Sequence, residues 1–362
     1  MNMWHGIYGH ERVVDYFRRS LASGRLGSSY LFLGPPGVGK FTFARKLAQA
    51  LLCLNSAESP LEPCGQCDSC RLMDSSGHPD LNLIGLPEGK NRLPVELFVG
   101  DRDHRHQEGL CHDIALRPRL SRRRVAIIDD ADHLNTESAN SLLKTLEEPP
   151  RGAILILIGT SRSRQLPTIL SRAQVVPFDP LPTDAIAALL QNLEIASDPS
   201  HASTMAARCA GSLSRAYELA DPELCDLEQR LATQMLPAAF DSVRLAAELI
   251  AVVNQAGKDA YARRQRLRAV LQMASMLFRS ILRGACGAAE EHADPECKAV
   301  KGWLELGPAV ENCALAALDR CLEAEEQLDR NANQATLIEC WLDDLAEVFS
   351  RVPAFDARAT IR

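Results

Sequence analysis

Residues 29–42 read SYLFLGPPGVGKFT, and this stretch decides the fold. Ser29–Leu33 is a short apolar run of the kind that forms a buried parallel strand. Gly34-x-x-x-x-Gly39-Lys40 has the spacing of a P-loop, and Thr42–Leu52 then places Phe43, Leu47, Ala50 and Leu51 at helical intervals. Strand, glycine-rich turn and helix together make a phosphate cradle. Gly34, Gly37 and Gly39 let the chain turn tightly, so that backbone N–H groups and the positive end of the helix surround an anion. Lys40 adds a point charge near the β- and γ-phosphates.

The loop ends unusually. Its last position is Phe41, where a magnesium-dependent ATPase carries Ser or Thr. A phenyl ring has no donor electrons for a hard cation. Thr42 is a poor substitute, because adjacent helix residues point about 100° apart at 3.6 residues per turn. The pocket is expected to hold ATP or ADP weakly and to hydrolyse ATP slowly if at all. A second acidic element, Val125–Asp132 (VAIIDDAD), closes a strand candidate. Asp129 suits outer-sphere binding of Mg²⁺. Asp130 stands where an ATPase carries the Glu that positions water, and it is one methylene shorter. Both changes weaken hydrolysis.

Around this core, Leu81–Ile84, Val125–Ile128 and Ala153–Ile158 are further strand candidates, and a helix is expected over Thr136–Leu146. Short apolar runs alternating with helical patterns indicate an α/β domain built on a parallel sheet. The Pro-rich joint at Pro177–Pro182 marks a boundary. Three domains follow: an α/β domain over 1–178, a small helical lid over 179–226 with helices at Thr183–Leu193, Ser200–Ala210 and Ser212–Leu219, and an all-helical domain over 227–362, interrupted by a loop between Gly284 and Pro295. With 362 residues there is ample length to bury cores. The net charge of −7 argues against a whole-chain grip on DNA or an anionic membrane. Apolar runs are far shorter than the ~18 residues a membrane span needs, and the N-terminus does not read as a secretory signal.

The 12 cysteines fall into two groups. Cys111, Cys209, Cys225, Cys286, Cys297, Cys313, Cys321 and Cys340 are scattered and read as reduced, small apolar residues on helices of a cytoplasmic chain. Cys53, Cys64, Cys67 and Cys70 are clustered, the last three as CGQCDSC. Four thiolates fill a tetrahedral Zn²⁺ site with no open position, which stabilises a local fold and cannot activate water. An iron–sulfur cluster, redox thiols or a chance grouping of cysteines are the alternatives.

The chain resembles bacterial clamp-loader proteins of the AAA+ class, the δ′ and γ/τ type subunits of DNA polymerase III. The resemblance rests on the P-loop, the cysteine knuckle, Asn140–Pro150 (NSLLKTLEEPP) and Leu166–Ala173 (LPTILSRA), and covers roughly the first 220 residues. Towards the C-terminus it is thinner: Asn331-Ala-Asn333 before a Leu/Glu-rich helix resembles the family's collar helix. The resemblance implies an AAA+ core with an inserted zinc module, a helical lid and a C-terminal collar. Arg172, in the place of the family's S-R-C motif, would be an arginine finger acting in trans, here followed by Ala173 instead of Cys. Thr160 resembles the sensor 1 position and Arg215 the sensor 2 arginine. The implied partners are γ/τ and δ subunits in a heteropentameric ring, the sliding clamp, and primed DNA met through the complex, with no membrane.

Phe41, Asp130 and the length of the chain favour a δ′-like stator over a γ/τ-like ATPase motor, which is the alternative. An unrelated AAA+ regulator is a third option. No polymerase active site is encoded, so any DNA-directed polymerase activity would be that of the complex. His104, His106 and His112, in a stretch (88–112) without a family counterpart, read as a polar insertion with exposed imidazoles rather than a second metal site. The run Arg117, Arg119, Arg122, Arg123 and Arg124 reads as an exposed loop or interface edge, with DNA phosphates as the other possibility.

Overall fold

The computed structural model describes residues 4–350 except 56–60, 76, 106, 221, 258–259, 288–297, 308 and 331. Cys297, His106, Asn331 and most of the loop expected before Pro295 therefore lie outside the described residues. The chain divides into two compact units, Met1–Ala216 and Tyr217–Arg362.

The first unit is built on five parallel strands: β1 (Ser29–Leu33), β2 (Leu81–Ile84), β3 (Arg124–Ile128), β4 (Ala153–Gly159) and β5 (Gln174–Pro177), in the order β2-β3-β4-β1-β5. Helices α1 (Glu11–Ala22), α2 (Lys40–Leu52), α3 (Asp68–Asp74), α4 (Glu96–Val99), α5 (Leu110–Ala115), α6 (Thr136–Glu147), α7 (Pro167–Leu170), α8 (Thr183–Asn192), α9 (Pro199–Arg208) and the first half of α10 (Leu213–Ala220) complete it. The period of two along β1 sorts its side chains between the two faces. Leu31 and Leu33 join a cluster with Leu142 and Leu146 of α6 and Phe98 of α4. Tyr30 and Phe32 turn the other way into an aromatic layer, with ring centroids 5.0 Å apart for Phe17–Tyr30, 5.9 Å for Phe32–Phe43 and 5.0 Å for Phe32–Phe178. Phe43 is thus the anchor that ties the start of α2 to the sheet.

The four strands expected from the sequence form, with β3 and β4 each one residue longer. The fifth, β5, is an edge strand in which only Val176 is buried, so no apolar run announces it. The insertion is not simply polar. Leu93, Phe98 and Leu110 are buried in the α6 cluster, because α4 and the start of α5 fold back onto that face. His104 is exposed and hydrogen-bonds Asp101 at 3.0 Å, and His112 is half-buried.

The arginine run is also not uniformly exposed. Arg117, Arg119 and Arg122 are exposed, but Arg124 is buried and its Nη2 lies 3.8 Å from Asp80 Oδ1. Asp80, fully buried just before β2, accepts the backbone N–H groups of Arg119 (2.6 Å), Leu120 (2.9 Å) and Ser121 (2.8 Å). Burial alone would push its carboxyl up, but these N–H donors and the Arg124 guanidinium outweigh it and hold the pKa below the ordinary value. The arginine loop is therefore wrapped around one carboxylate.

In the second unit every described element is a helix: α11 (Pro222–Gln234), α12 (Ser242–Gln255), α13 (Ala260–Ala285), α14 (Lys298–Leu304), α15 (Val310–Asp329) and α16 (Gln334–Ser350). α13 packs on α15 and α12 on α16. Phe278, Trp303 and Phe349 form its aromatic centre, with Trp303–Phe349 centroids 5.2 Å apart. A boundary at 226/227 falls inside α11, whose Leu227 and Leu231 are buried in this helical core. Asn333 caps α16, its Oδ1 accepting from the N–H of Ala335 (3.1 Å) and Thr336 (3.2 Å), which gives this asparagine a local physical reason. Cys313 and Cys321 are buried, and burial pushes their thiols up to about 11 and 12; Cys286 and Cys340 are exposed free thiols. No helix among the described residues is long and apolar enough to cross a membrane.

Asp80→Ala leaves three N–H groups and a buried guanidinium without their acceptor, and is expected to cost about 3–5 kcal/mol in urea unfolding. The carboxylate's stabilisation is present above its ordinary pKa of 3.8 and is lost as pH falls through the depressed folded value. The deficit of the variant should therefore shrink in acid.

Candidate functional site

β1 ends at Leu33, and the loop from Gly34 to α2 holds two left-handed glycines, Gly37 at φ +74° and Gly39 at φ +92°. A side chain at Gly34 would come within 2.2 Å of the Phe178 carbonyl, and one at Gly37 within 2.2 Å of Ser212 Oγ. The Gly37 carbonyl accepts the Leu213 N–H at 2.9 Å, so the start of α10 lies directly on the loop. His10, which sequence reasoning missed, is buried beneath it. Its Nε2 is 2.6 Å from the Val38 carbonyl, its ring packs 4.8 Å from Phe178, and burial lowers its pKa.

Lys40 is folded onto its own loop. Its Nζ donates to the carbonyls of Gly34 and Pro35, both at 2.6 Å, and burial lowers its pKa against the opposing pull of Asp132 and Asp129. Phe41 is half-buried at the position of the cation-binding hydroxyl, and Thr42 is exposed. The loop keeps the backbone of an anion cradle, but its last residues do not fit Mg²⁺: Phe41 has no donor atom, and the hydroxyl of Thr42 is on the solvent side.

At the end of β3, burial foremost and the adjacent Asp130 next push the Asp129 carboxyl up to about 6. Asp130 is exposed at φ +55°, and its Oδ2 accepts the Leu86 N–H at 3.3 Å, spending the carboxylate on the neighbouring strand end. A third acid, Asp132, is brought in by the 3₁₀ turn Ala131–His133. Its Oδ2 accepts from Thr160 N (2.9 Å) and Thr160 Oγ1 (2.6 Å), and its Oδ1 accepts from Gln165 Nε2. Asp132 and Gln165 were not singled out from sequence. The i, i+3 spacing from Asp129 was the signal available for the first, and nothing local marks the second. Thr160 is therefore brought beside the acidic strand end. Arg215 is buried on α10, three residues beyond the Ser212 that meets Gly37, and its N–H donates to Ser212 Oγ at 3.3 Å. Arg172 follows α7 and is bonded to Glu147 at the end of α6.

Cys53, Cys64, Cys67 and Cys70 come together with their sulfurs within 4.8 Å of one another, and all four are free thiols. The Cys53–Cys67 separation of 3.9 Å matches what bonds of about 2.3 Å to a central tetrahedral ion demand. The N–H groups of Cys64, Cys67 and Cys70 point at the sulfurs of Cys53 (3.4 Å), Cys64 (3.4 Å) and Cys67 (3.5 Å). Hydrogen bonds from Gln66 and Cys67 lower the Cys64 thiol to about 6, while burial raises Cys53 and Cys70. The donor set fits a closed four-sulfur metal site; among the described residues it is the group that could hold an ion.

This module is stitched to the sheet. His78 Nδ1 accepts the Asp80 N–H at 3.0 Å, which leaves Nε2–H to donate to Ser69 Oγ at 2.9 Å. Ser69 and Ser121 both donate to the Leu52 carbonyl at 2.7 Å. Ser69 sits between two cysteines and Leu52 precedes another, so one imidazole joins metal module, β2 and the Asp80 loop. Purified chain is expected to carry one tightly held metal ion by elemental analysis. Cys67→Ser should lose it and open residues 53–70 to limited proteolysis, while ordinary folding of the helical unit keeps the circular dichroism near that of the parent.

Residues 9–182 match the family model described as DNA polymerase III, delta subunit. The chain is 33% identical over 208 residues to DNA polymerase III subunit delta′ of Bacillus subtilis, covering 58% of each protein. It is 33% identical over 242 residues to subunit tau of Escherichia coli, covering 66% of this chain and 35% of that one. With delta′ of Pseudomonas aeruginosa it shares 36% identity over 154 residues, 42% of this chain and 43% of that one. The matches thus span less than two thirds of these relatives. Among solved structures, a gamma-subunit-related DNA polymerase III protein of Thermotoga maritima aligns over 94% of this chain and 98% of its own at 16% identity, with a TM-score of 0.37. On its N-terminal half, the chain belongs to the bacterial DNA polymerase III clamp-loader family that includes the delta′ and gamma/tau subunits.

Proposed function

We propose that this chain is a δ′-type stator of the clamp loader. It takes a place in a heteropentameric ring with γ/τ and δ subunits, supplies Arg172 in trans to a neighbour's ATP site, and helps load the sliding clamp onto primed DNA, which it meets through the complex. Residues 179–226 act as the lid and 227–362 as the collar that holds the ring. Zn²⁺ is the ion in the four-cysteine module, where it supplies folding energy and no catalysis. Nucleotide, if held by Gly34–Thr42 with Asp129, Asp130, Thr160 and Arg215 around it, is bound and not turned over.

The observation that carries this reading is residue 41. A motor must place an oxygen on Mg²⁺ at this position, and here stands a half-buried phenyl ring with its neighbour Thr42 turned to solvent. The lysine that should meet the β- and γ-phosphates is bonded to two carbonyls of its own loop. The match to E. coli tau extends over 242 residues, further than the match to either delta′ relative, and gives the γ/τ-like motor its standing as a second reading.

The two readings part in a reconstituted ring assayed for clamp- and DNA-stimulated ATP turnover. Lys40→Ala in this chain is expected to leave turnover within about twofold of the parent, and Arg172→Ala to lower it about tenfold or more at the site it completes. Turnover lost with Lys40→Ala and kept with Arg172→Ala would establish the motor instead.

A further inference from the structure

Arg172 has five N–H donors in a rigid planar fork. Its Nε donates to Glu147 Oε1 at 2.6 Å, and its Nη2 pairs with the same oxygen. Its Nη1 donates to the Thr168 carbonyl at 3.1 Å and to Ser171 Oγ at 3.0 Å. These contacts use donors on all three nitrogens, all within the chain. Charge neutralisation of a phosphoryl group by arginine is commonly bidentate and needs two neighbouring N–H groups aimed at oxygens. The Nε–Nη2 edge is taken by Glu147, and the Nη1–Nη2 edge is tied through Nη1 to Thr168 and Ser171. In this arrangement the guanidinium cannot offer a full edge to a neighbour.

The contacts differ in how easily they exchange. Thr168 and Ser171 are neutral and local to the turn that carries Arg172. Glu147 is the charged partner, on a separate helix, and it sits at the last position of α6, where Pro149 and Pro150 fix the backbone. Its side chain is half exposed, so it can swing into water when a stronger anion arrives. A polyphosphate replacing a carboxylate swaps one anion for another on the same guanidinium edge. Helix α6 thus holds the arginine in reserve.

Resting on the arginine-finger reading of Arg172, we propose that Glu147 is a positioning residue: the resting counter-ion of the finger, holding it against its own chain until the nucleoside triphosphate of a neighbouring subunit displaces the carboxylate. The exchange precedes both the bound ground state and the transition state, so its cost falls on KM for ATP and not on kcat.

The test uses the complete reconstituted ring with Glu147→Gln in this chain, which keeps the side-chain shape and removes the charge. KM for ATP is expected to fall by about two- to fivefold, the range that one partly exposed ion pair is worth, with kcat unchanged. In an Arg172→Ala background the same substitution should have no effect, as a double-mutant cycle requires of a pair acting together. Glu147→Ala should reproduce the shift. An unchanged or raised KM, a lowered kcat, or an equal effect of Glu147→Gln with and without Arg172 would overturn the counter-ion role. If Arg172→Ala changes turnover and Glu147→Gln does not, the counter-ion alone fails; if Arg172→Ala changes nothing, the finger itself fails.

Discussion

The backbone of Gly34–Gly39 is the constraint on which the site depends. Two of its positions lie at positive φ and two leave no room for a side chain, so the loop can be built only from glycine at those points. It starts where β1 leaves the sheet, it is held from below by His10 at Val38, and it is capped by the N–H of Leu213. The shape is thus imposed by the sheet, the His10 side chain and the start of α10 together. Lys40 donates to two of the loop's own carbonyls, and the residue that follows it is the half-buried Phe41.

A second dependence runs through buried polar groups. The Leu52 carbonyl, Ser69, Ser121, His78 and Asp80 form a continuous chain of hydrogen bonds from the backbone beside the cysteine module to the arginine loop. Burial lowers the His78 pKa, in keeping with an imidazole that must accept on one nitrogen and donate on the other. Buried polar groups of this kind are costly unless every member is satisfied. Cysteine module and sheet edge are accordingly joined through buried hydrogen bonds.

Much of this was legible in the sequence, and for physical reasons. Buried parallel strands are apolar along their whole length, so SYLFL, VAII and AILILI stand out. P-loop and cysteine spacing are set by backbone geometry and ligand angles, which vary little. What escaped was carried by tertiary pairing. β5 has only Val176 buried and is a strand because β1 offers it an edge. Asp132 matters because a 3₁₀ turn rotates it toward Thr160, and Gln165 because a loop returns it to the same carboxylate. Arg124 reads as one more charge in a basic run until Asp80, forty-odd residues earlier, is seen beneath it. Likewise the polar look of 88–112 hides Leu93, Phe98 and Leu110, three scattered apolar residues that fill one hollow beside α6.

The central claim is that the cradle can hold an anion without working magnesium. The direct measurement is calorimetric titration of the isolated chain with a non-hydrolysable ATP analogue, with and without Mg²⁺. Affinity that is the same within about twofold in both conditions is the outcome expected of a site lacking the hydroxyl ligand. Binding that tightens by about tenfold or more when Mg²⁺ is added would show that this pocket coordinates the cation after all.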